Sequence, residues 1–219
     1  MEGSKPTLAI VGGTGDLGTG LAHRLAKAGF AIIIGSRSAE KAAAAARALP
    51  TAAGSPPPAG ATNAEAARAA EVVLLTVPWA GQAQALEEIA PHVAGKLVVD
   101  TTVPLVPPRV ARVQLPPEHS AALTAQKWLG AGVRVVSAFH NVAAHKLQTD
   151  EAIDCDVLVF GDAPKDREIV LGLARACGLR GVHAGPLANS VAAEALTSVL
   201  IGINRNYKVD GAGIRITGI

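Results

Sequence analysis

The chain has 219 residues, 49% of them apolar and only 3% aromatic, with a formal net charge of +2. That length suits one large α/β domain with at most a small appendage, around a core of Ala, Val, Leu and Ile. The balanced charge carries no block of like sign and gives no case for nucleic acid. Each unbroken apolar run falls short of membrane-spanning length, so no membrane partner is expected.

The first element predicted is a strand over 7–11. It runs into Gly12-Gly13-Thr14-Gly15-Asp16-Leu17-Gly18 and then a helix over 16–28 that stops at Gly29. A Gly-x-Gly-x-x-Gly turn between strand and helix sets bare N–H groups where a pyrophosphate can sit. Gly13 is expected to make the tight turn, Gly15 to admit the phosphates and Gly18 to pack helix on strand. Thr14, Asp16 and Leu17 lie in the same turn and join the candidate cofactor residues. The start is too short in apolar length, and too rich in glycine, to read as a cleavable leader.

A second strand is predicted over 30–34, followed by Gly35-Ser36-Arg37. The strand end lacks the Asp or Glu that would hold an NAD ribose. Ser36 offers a hydroxyl, Arg37 can clamp a phosphate, and Lys41 shares Arg37's helix face four residues on. The pattern favours NADP over NAD; a solvated basic helix start is the plain alternative. A helix over 38–49 and an exposed loop over 50–60 come next. A short helix over 63–70 leads to a buried strand over 72–77. Pro78 ends that strand, Trp79 opens a helix reaching 89, and a strand follows over 97–100.

The second half reads as a Pro-rich turn over 101–108, a helix over 120–129 and a strand over 133–136. Further strands over 156–160 and 179–183 flank a helix over 164–177. A long apolar helix over 187–204 precedes a small strand over 211–216. Cys155 and Cys177 lack metal-ligand spacing and read as reduced core residues of a cytoplasmic protein. The strand–helix alternation gives an α/β, Rossmann-type, doubly wound and mainly parallel sheet with a small C-terminal helical addition. A single domain is expected over 1–219. Its dinucleotide-binding core would span 1–137, and residues 138–219 would complete a second-substrate cleft and a dimer interface.

Ligands of such a sheet bind beyond the strand carboxyl ends. Those ends place Val77, Pro78, Trp79, Val103, Pro104, Ala138 and Asn141 beside the glycine turn. The loops are apolar and poor in acids and bases, which suits a platform for a ring rather than hydrolysis. His140 reads either as an acid, base or donor to a ring, or as a structural hydrogen bond. Asp100 reads as a turn cap or a ligand contact, and Trp79 as a stacking wall or a core aromatic. The histidines and carboxylates show no metal spacing, and no metal is expected.

These residues resemble the NADPH-dependent reductases of the deazaflavin coenzyme F420. The turn at 12–18 is similar to that family's G-G-T-G-N-L-G, with Asp16 where Asn is usual. Gly35-Ser36-Arg37 with Lys41 resembles its 2′-phosphate pocket, and Leu75-Thr76-Val77-Pro78-Trp79 its L-T-I-P-W segment. Ser137-Ala138-Phe139-His140 is similar to S-A-L-H, and 184–190 to A-G-P-L-S-N-S. The resemblance implies direct hydride transfer between NADP(H) and coenzyme F420, and NADP contacts at Thr14 to Leu17, Ser36, Arg37, Lys41, Val77, Val103 and Ala138. It implies a deazaflavin pocket around Trp79, Val103-Pro104-Leu105, His140-Asn141 and Ala212, and a homodimer joined through the helix at 187–204. Two departures, a longer 100–104 segment and Asn141-Val142-Ala143 in place of T-I-P, fall at the second substrate. An NADPH-dependent reductase of a flavin, ferric chelate or other small acceptor, and a non-catalytic NADP(H)-sensing module, stand as alternatives.

Overall fold

A computed structural model describes residues 5–219. Six strands form one sheet: β1 (Leu8–Val11), β2 (Ile32–Ser36), β3 (Ala59–Thr62), β4 (Val72–Leu75), β5 (Leu97–Asp100) and β6 (Arg134–Ser137). Their order is β3-β2-β1-β4-β5-β6, and every pairing is parallel. The chain therefore winds outward from β1 in one direction and from β4 in the other. This leaves a crevice above the β1–β4 boundary where a ligand can enter. Leu8 lies opposite both Ile32 and Val72, and Val11 opposite Gly35 and Leu75.

All four residues of β1, β4 and β5 are buried, as expected of strands covered on both faces. One apolar layer joins Leu8, Ile10 and Leu74 to Leu21 and Leu25 of α1 (Asp16–Lys27) and Ala42 of α2 (Ala39–Arg47). The other joins Ala9, Val11 and Val73 to Ala66 of α3 (Asn63–Ala69), Leu86 of α4 (Trp79–Ile89) and Ala122 of α5 (Ala121–Leu129).

The second strand lies two residues later than the sequence pattern suggests. Gly29 takes φ +84°, its amide bonds to Ala26 O, and the Phe30 amide reaches back to Leu25 O at 3.1 Å. Phe30 thus belongs to the exit of α1, and the strand carries Ser36 to its end. The stretch read as loop over 50–60 runs into β3, an edge strand whose Ala59 to Thr62 pair with Ile33 to Ser36. Its Gly60 sits against α2 so closely that a Cβ there would lie 2.2 Å from the Ala43 nitrogen.

After β6 come α6 (Ala144–Leu147), β7 (Asp156–Val159), α7 (Pro164–Ala176), β8 (Arg180–His183) and α8 (Ser190–Tyr207). β7 and β8 make a separate parallel pair. Arg24 of α1 donates to the carbonyls of Lys146 at 3.1 Å, Leu147 at 3.2 Å and Glu151 at 2.7 Å, fastening this part to the larger sheet. The 211–216 tail is a strap, not a strand. The Asp156 amide bonds to Ile214 O at 2.8 Å, and the Asp156 carboxylate takes the Ile216 amide and both Arg180 and Arg215. Side-chain anchoring replaces the ladder a strand would need. Leu187–Tyr207 spans 21 residues, and its most apolar 18-residue window has mean hydropathy 1.3, long and apolar enough to cross a membrane by length and composition. Ser190, Glu194 and Ser198 interrupt the apolar runs in the sequence without lowering that average much. In the fold those three residues lie on the packed face of α8 with Ala193 and Leu200.

Candidate functional site

The glycine turn is built by several different constraints. Gly12, at φ +75°, carries the left-handed turn, and a Cβ there would meet Val77 Cγ1 at 2.5 Å. That role was expected of Gly13. Gly13 instead is held by its amide to Ile10 O and Gly35 O, and a Cβ on it would strike Ile10 O at 2.6 Å. Gly15 is the N-cap of α1 and opens to the cleft, with no side chain capping the helix. Gly18 packs where a Cβ would lie 2.6 Å from Thr76 Oγ1. The helix ladder begins with Thr19 N–H on Gly15 O at 2.8 Å, so the amides of Asp16, Leu17 and Gly18 lack helical acceptors. Such a cluster of donors on a positive helix end fits a pyrophosphate.

At the end of β2, Ser36 is buried and its Oγ accepts the Ser38 amide at 3.3 Å. Ser38 caps α2 by accepting the Lys41 amide at 3.2 Å. That cap puts Arg37 and Lys41 at the cleft edge, both exposed. Among the described residues neither has a carboxylate within ion-pair distance. Two unspent cations beside a hydroxyl fit a 2′-phosphate.

The glycine turn and this basic edge border one cleft of about 1190 Å³. Its opposite wall is Val77, Pro78, Trp79, Thr101, Val103, Leu105 and Ala144. That wall is largely apolar, and the volume exceeds the roughly 300–1,000 Å³ of a single small-ligand site. Thr14, Gly15, Asp16, Leu17, Ser36, Arg37, Lys41, Val77, Pro78, Trp79 and Val103 thus come together. Gly13 and Gly18 lie packed beneath the turn.

Four other expected residues do not line this cleft. Pro104 is buried. Ala138 is fully buried, its amide on Asp100 O at 3.1 Å. Asn141 donates to Ala193 O at 3.1 Å, bracing α8. Ala212 binds Asn204 Oδ1 through its amide at 2.8 Å, at the far end of α8. Phe139, buried at φ +68°, turns the chain so that His140 points inward. His140 Nε2 lies 2.8 Å from Ser137 Oγ, while its Nδ1 is buried without a partner. Burial pushes the imidazole down to about 3, so it is neutral near pH 7.

Sequence reasoning missed Asn63, Gln84 and Glu88, all of which line the cleft. Asn63 Oδ1 accepts the Gly12 amide at 3.3 Å, and its Nδ2 donates to Glu88 at 2.7 Å. Gln84 donates to the other Glu88 oxygen at 3.1 Å. The Thr62–Glu65 capping box at the start of α3 was the available signal for Asn63. Gln84 and Glu88 share one face of α4, at i, i+4 spacing.

The family model for "NADP oxidoreductase coenzyme F420-dependent" matches residues 7–104. The F420-dependent NADP reductase of Methanothermobacter thermautotrophicus is 41% identical over 97% of this chain and 95% of its own. The chain belongs to the F420-dependent NADP reductase family. A second member of that family, from Methanocaldococcus jannaschii, is 39% identical over 97% of this chain and 98% of its own. Among solved structures, a provisionally assigned F420-dependent NADP-reductase from Arthrobacter sp. FB24 superposes with a TM-score of 0.81. It is 26% identical and covers 97% of this chain and all of its own. The family resemblance read from the motifs and the doubly wound fold are both borne out.

Proposed function

We propose that this chain is an NADP-dependent oxidoreductase that passes a hydride directly between NADP(H) and coenzyme F420. The observation that carries the reading is one cleft holding both an unspent cationic pair, Arg37 and Lys41, and an apolar second wall. When bound, the nicotinamide and deazaflavin rings supply the hydride exchange. The open amides of Asp16 and Leu17 would hold the pyrophosphate, and Ser36, Arg37 and Lys41 the 2′-phosphate. Val77, Pro78, Trp79, Val103 and Leu105 would keep the rings face to face and exclude water. Orientation and dryness are what a hydride step asks of the protein. His140, neutral and held by Ser137, is assigned to positioning. Like Ala138, Asn141 and Pro104 it does not line the cleft, so these four would act by shaping the deazaflavin side. Ala212 would act only by steadying α8.

We also infer a cytoplasmic homodimer joined through α8. Val199 is 46% and Tyr207 75% exposed on that helix, an apolar surface suited to a second copy. The buried carboxylate of Glu194 on its packed face supports a packed helix over a spanning one. Buried free thiols at Cys155 and Cys177 agree with a reducing compartment.

A second reading draws on one relative. Metalloreductase STEAP3 of Rattus norvegicus is 29% identical over 87% of this chain, although this match spans 36% of that protein. The test mixes the protein with NADPH and, in turn, coenzyme F420, free flavin and a ferric chelate. Rapid nicotinamide oxidation with coenzyme F420 is the expected result. Oxidation with flavin or ferric chelate alone would favour the second reading, and tight NADPH binding with no oxidation would favour a sensor.

A further inference from the structure

Two carboxylates lie in the interior with no cation beside them. Asp100 ends β5 and is 0% exposed; Glu194, on α8, is 2% exposed. Asp100 accepts the Thr102 amide at 2.8 Å on one oxygen and Gln82 Nε2 at 2.8 Å on the other. Gln82 also donates to Ala121 O at 3.1 Å. The Ala121 amide in turn donates to Glu194 at 2.6 Å, and the Ala122 amide to its second oxygen at 3.2 Å. The chain Asp100–Gln82–Ala121–Glu194 therefore joins β5, α4, α5 and α8 in one buried polar run.

Among the described residues no element packed around this run supplies a full countercharge, and the first two amides of α5 are the donors that face Glu194. Gln82 is the polar group facing it from α4, and the β4 end offers Leu75 and Thr76. From β6 come Ser137 and, past the turn, His140, which burial keeps neutral. Near the start of α5, Glu118 is paired with Lys127 at 2.6 Å and with Thr124. Among the described residues no Lys, Arg or His nitrogen makes an ion pair with either carboxylate. Two unpaired buried anions in one network would each cost desolvation and would repel, so the stable state retains a proton.

We propose that Asp100 and Glu194 hold one proton between them across the Gln82–Ala121 bridge, and that this shared proton positions the 101–105 segment walling the acceptor half of the cleft. Asp100 fixes the Thr102 amide directly, and Thr101, Val103 and Leu105 line the cleft on either side of it. Asp100 and Glu194 are positioning residues, since neither lines the cleft. Burial raises the two carboxyls to about 6 and about 7, with the Asp100 charge adding to the rise at Glu194. The pair titrates as a unit rather than residue by residue. Losing the proton leaves two anions that push α8 and the start of α5 away from β5 and loosen the wall.

The role in acceptor binding rests on the coenzyme F420 reading, while the shared proton does not. Steady-state rates are therefore measured against pH 6 to 9 for wild type, Glu194→Gln and Asp100→Asn, with NADPH binding measured separately. The expected result is a wild-type acceptor KM that rises several-fold as pH increases, with NADPH affinity unchanged. In both variants the part of that rise beyond the acceptor's own ionisation is absent. Ionisation of the acceptor itself is common to all three proteins, so the difference reports the pair. A KM that rises with pH as steeply in both variants as in the wild type, or equal changes for both substrates, would overturn the positioning role. A carboxyl-labelled ¹³C NMR titration of the wild type needs neither variant nor turnover. One carboxyl titrating near neutrality supports the shared proton, and two buried carboxyls titrating below pH 5 would overturn it. Absence of turnover with coenzyme F420 at every pH would count against the function and leave the NMR result standing.

Discussion

At the residue scale, the proposed site sets Arg37 and Asp16 on the same ligand with opposite sign. On that reading, removing Arg37 takes away charge-assisted bonds that NADPH can use and NADH cannot. Arg37→Ala should weaken NADPH binding roughly ten- to hundredfold, with NADH little changed. Equal loss for both nucleotides, measured by calorimetry, would refute the 2′-phosphate assignment. Asp16 puts a carboxylate in the first turn of α1, where the pyrophosphate is expected. Asp16→Asn should tighten NADPH binding about two- to fivefold at low salt, with a smaller gain at high salt, because an anion no longer faces an anion. His140 gives a stability prediction. Its folded form stays neutral down to about pH 3, whereas an unfolded histidine protonates below about 6.5. Below 6.5 the unfolded chain binds the extra proton, so stability falls as pH drops from about 6.5 towards 3. Urea unfolding of His140→Gln at several pH values should show a shallower fall across that window.

At the element scale, the glycine at 60 shows what the sequence could and could not tell. β1, β4, β5 and the Trp79 start of α4 were legible because continuous β-branched runs and a Pro stop leave few other readings. β3 was not, since Ala-Gly-Ala-Thr has little strand character of its own. It forms because β2 offers an edge and because alanine-rich α2 allows its backbone to approach. Gly60→Ala should therefore lower stability by about 1–3 kcal/mol through overpacking and shift α2 with it. Since α2 begins at the Ser38 cap beside Arg37, the same variant should weaken NADPH binding more than NADH binding. Ser36, Arg37 and Lys41 were readable from local spacing. Asn63 and Glu88 were not, because their link to the Gly12 amide exists only once α3 and α4 flank the crevice.

At the scale of the whole molecule, the cleft depends on how the part after β6 is fastened to the sheet. Ser137 and Phe160 exchange backbone bonds at 2.8 and 2.9 Å, and Gln148 donates to Asp16 O at 3.1 Å beside the proposed pyrophosphate site. Gly20 lies close enough to α6 that a Cβ would meet the Leu147 Cβ at 2.6 Å. Arg24→Ala should cut bonds to several carbonyls, lower stability and raise KM for both substrates, since the latch touches neither ring. The most direct measurement of the central claim follows a label. NADPH deuterated at the transferred nicotinamide position is mixed with oxidised coenzyme F420 and the protein in ordinary water, and the reduced deazaflavin is analysed by mass spectrometry. Retention of the deuterium on the deazaflavin is the predicted result. Reduction with the label lost to solvent, or no reduction of coenzyme F420 at all, would contradict direct hydride transfer across this cleft.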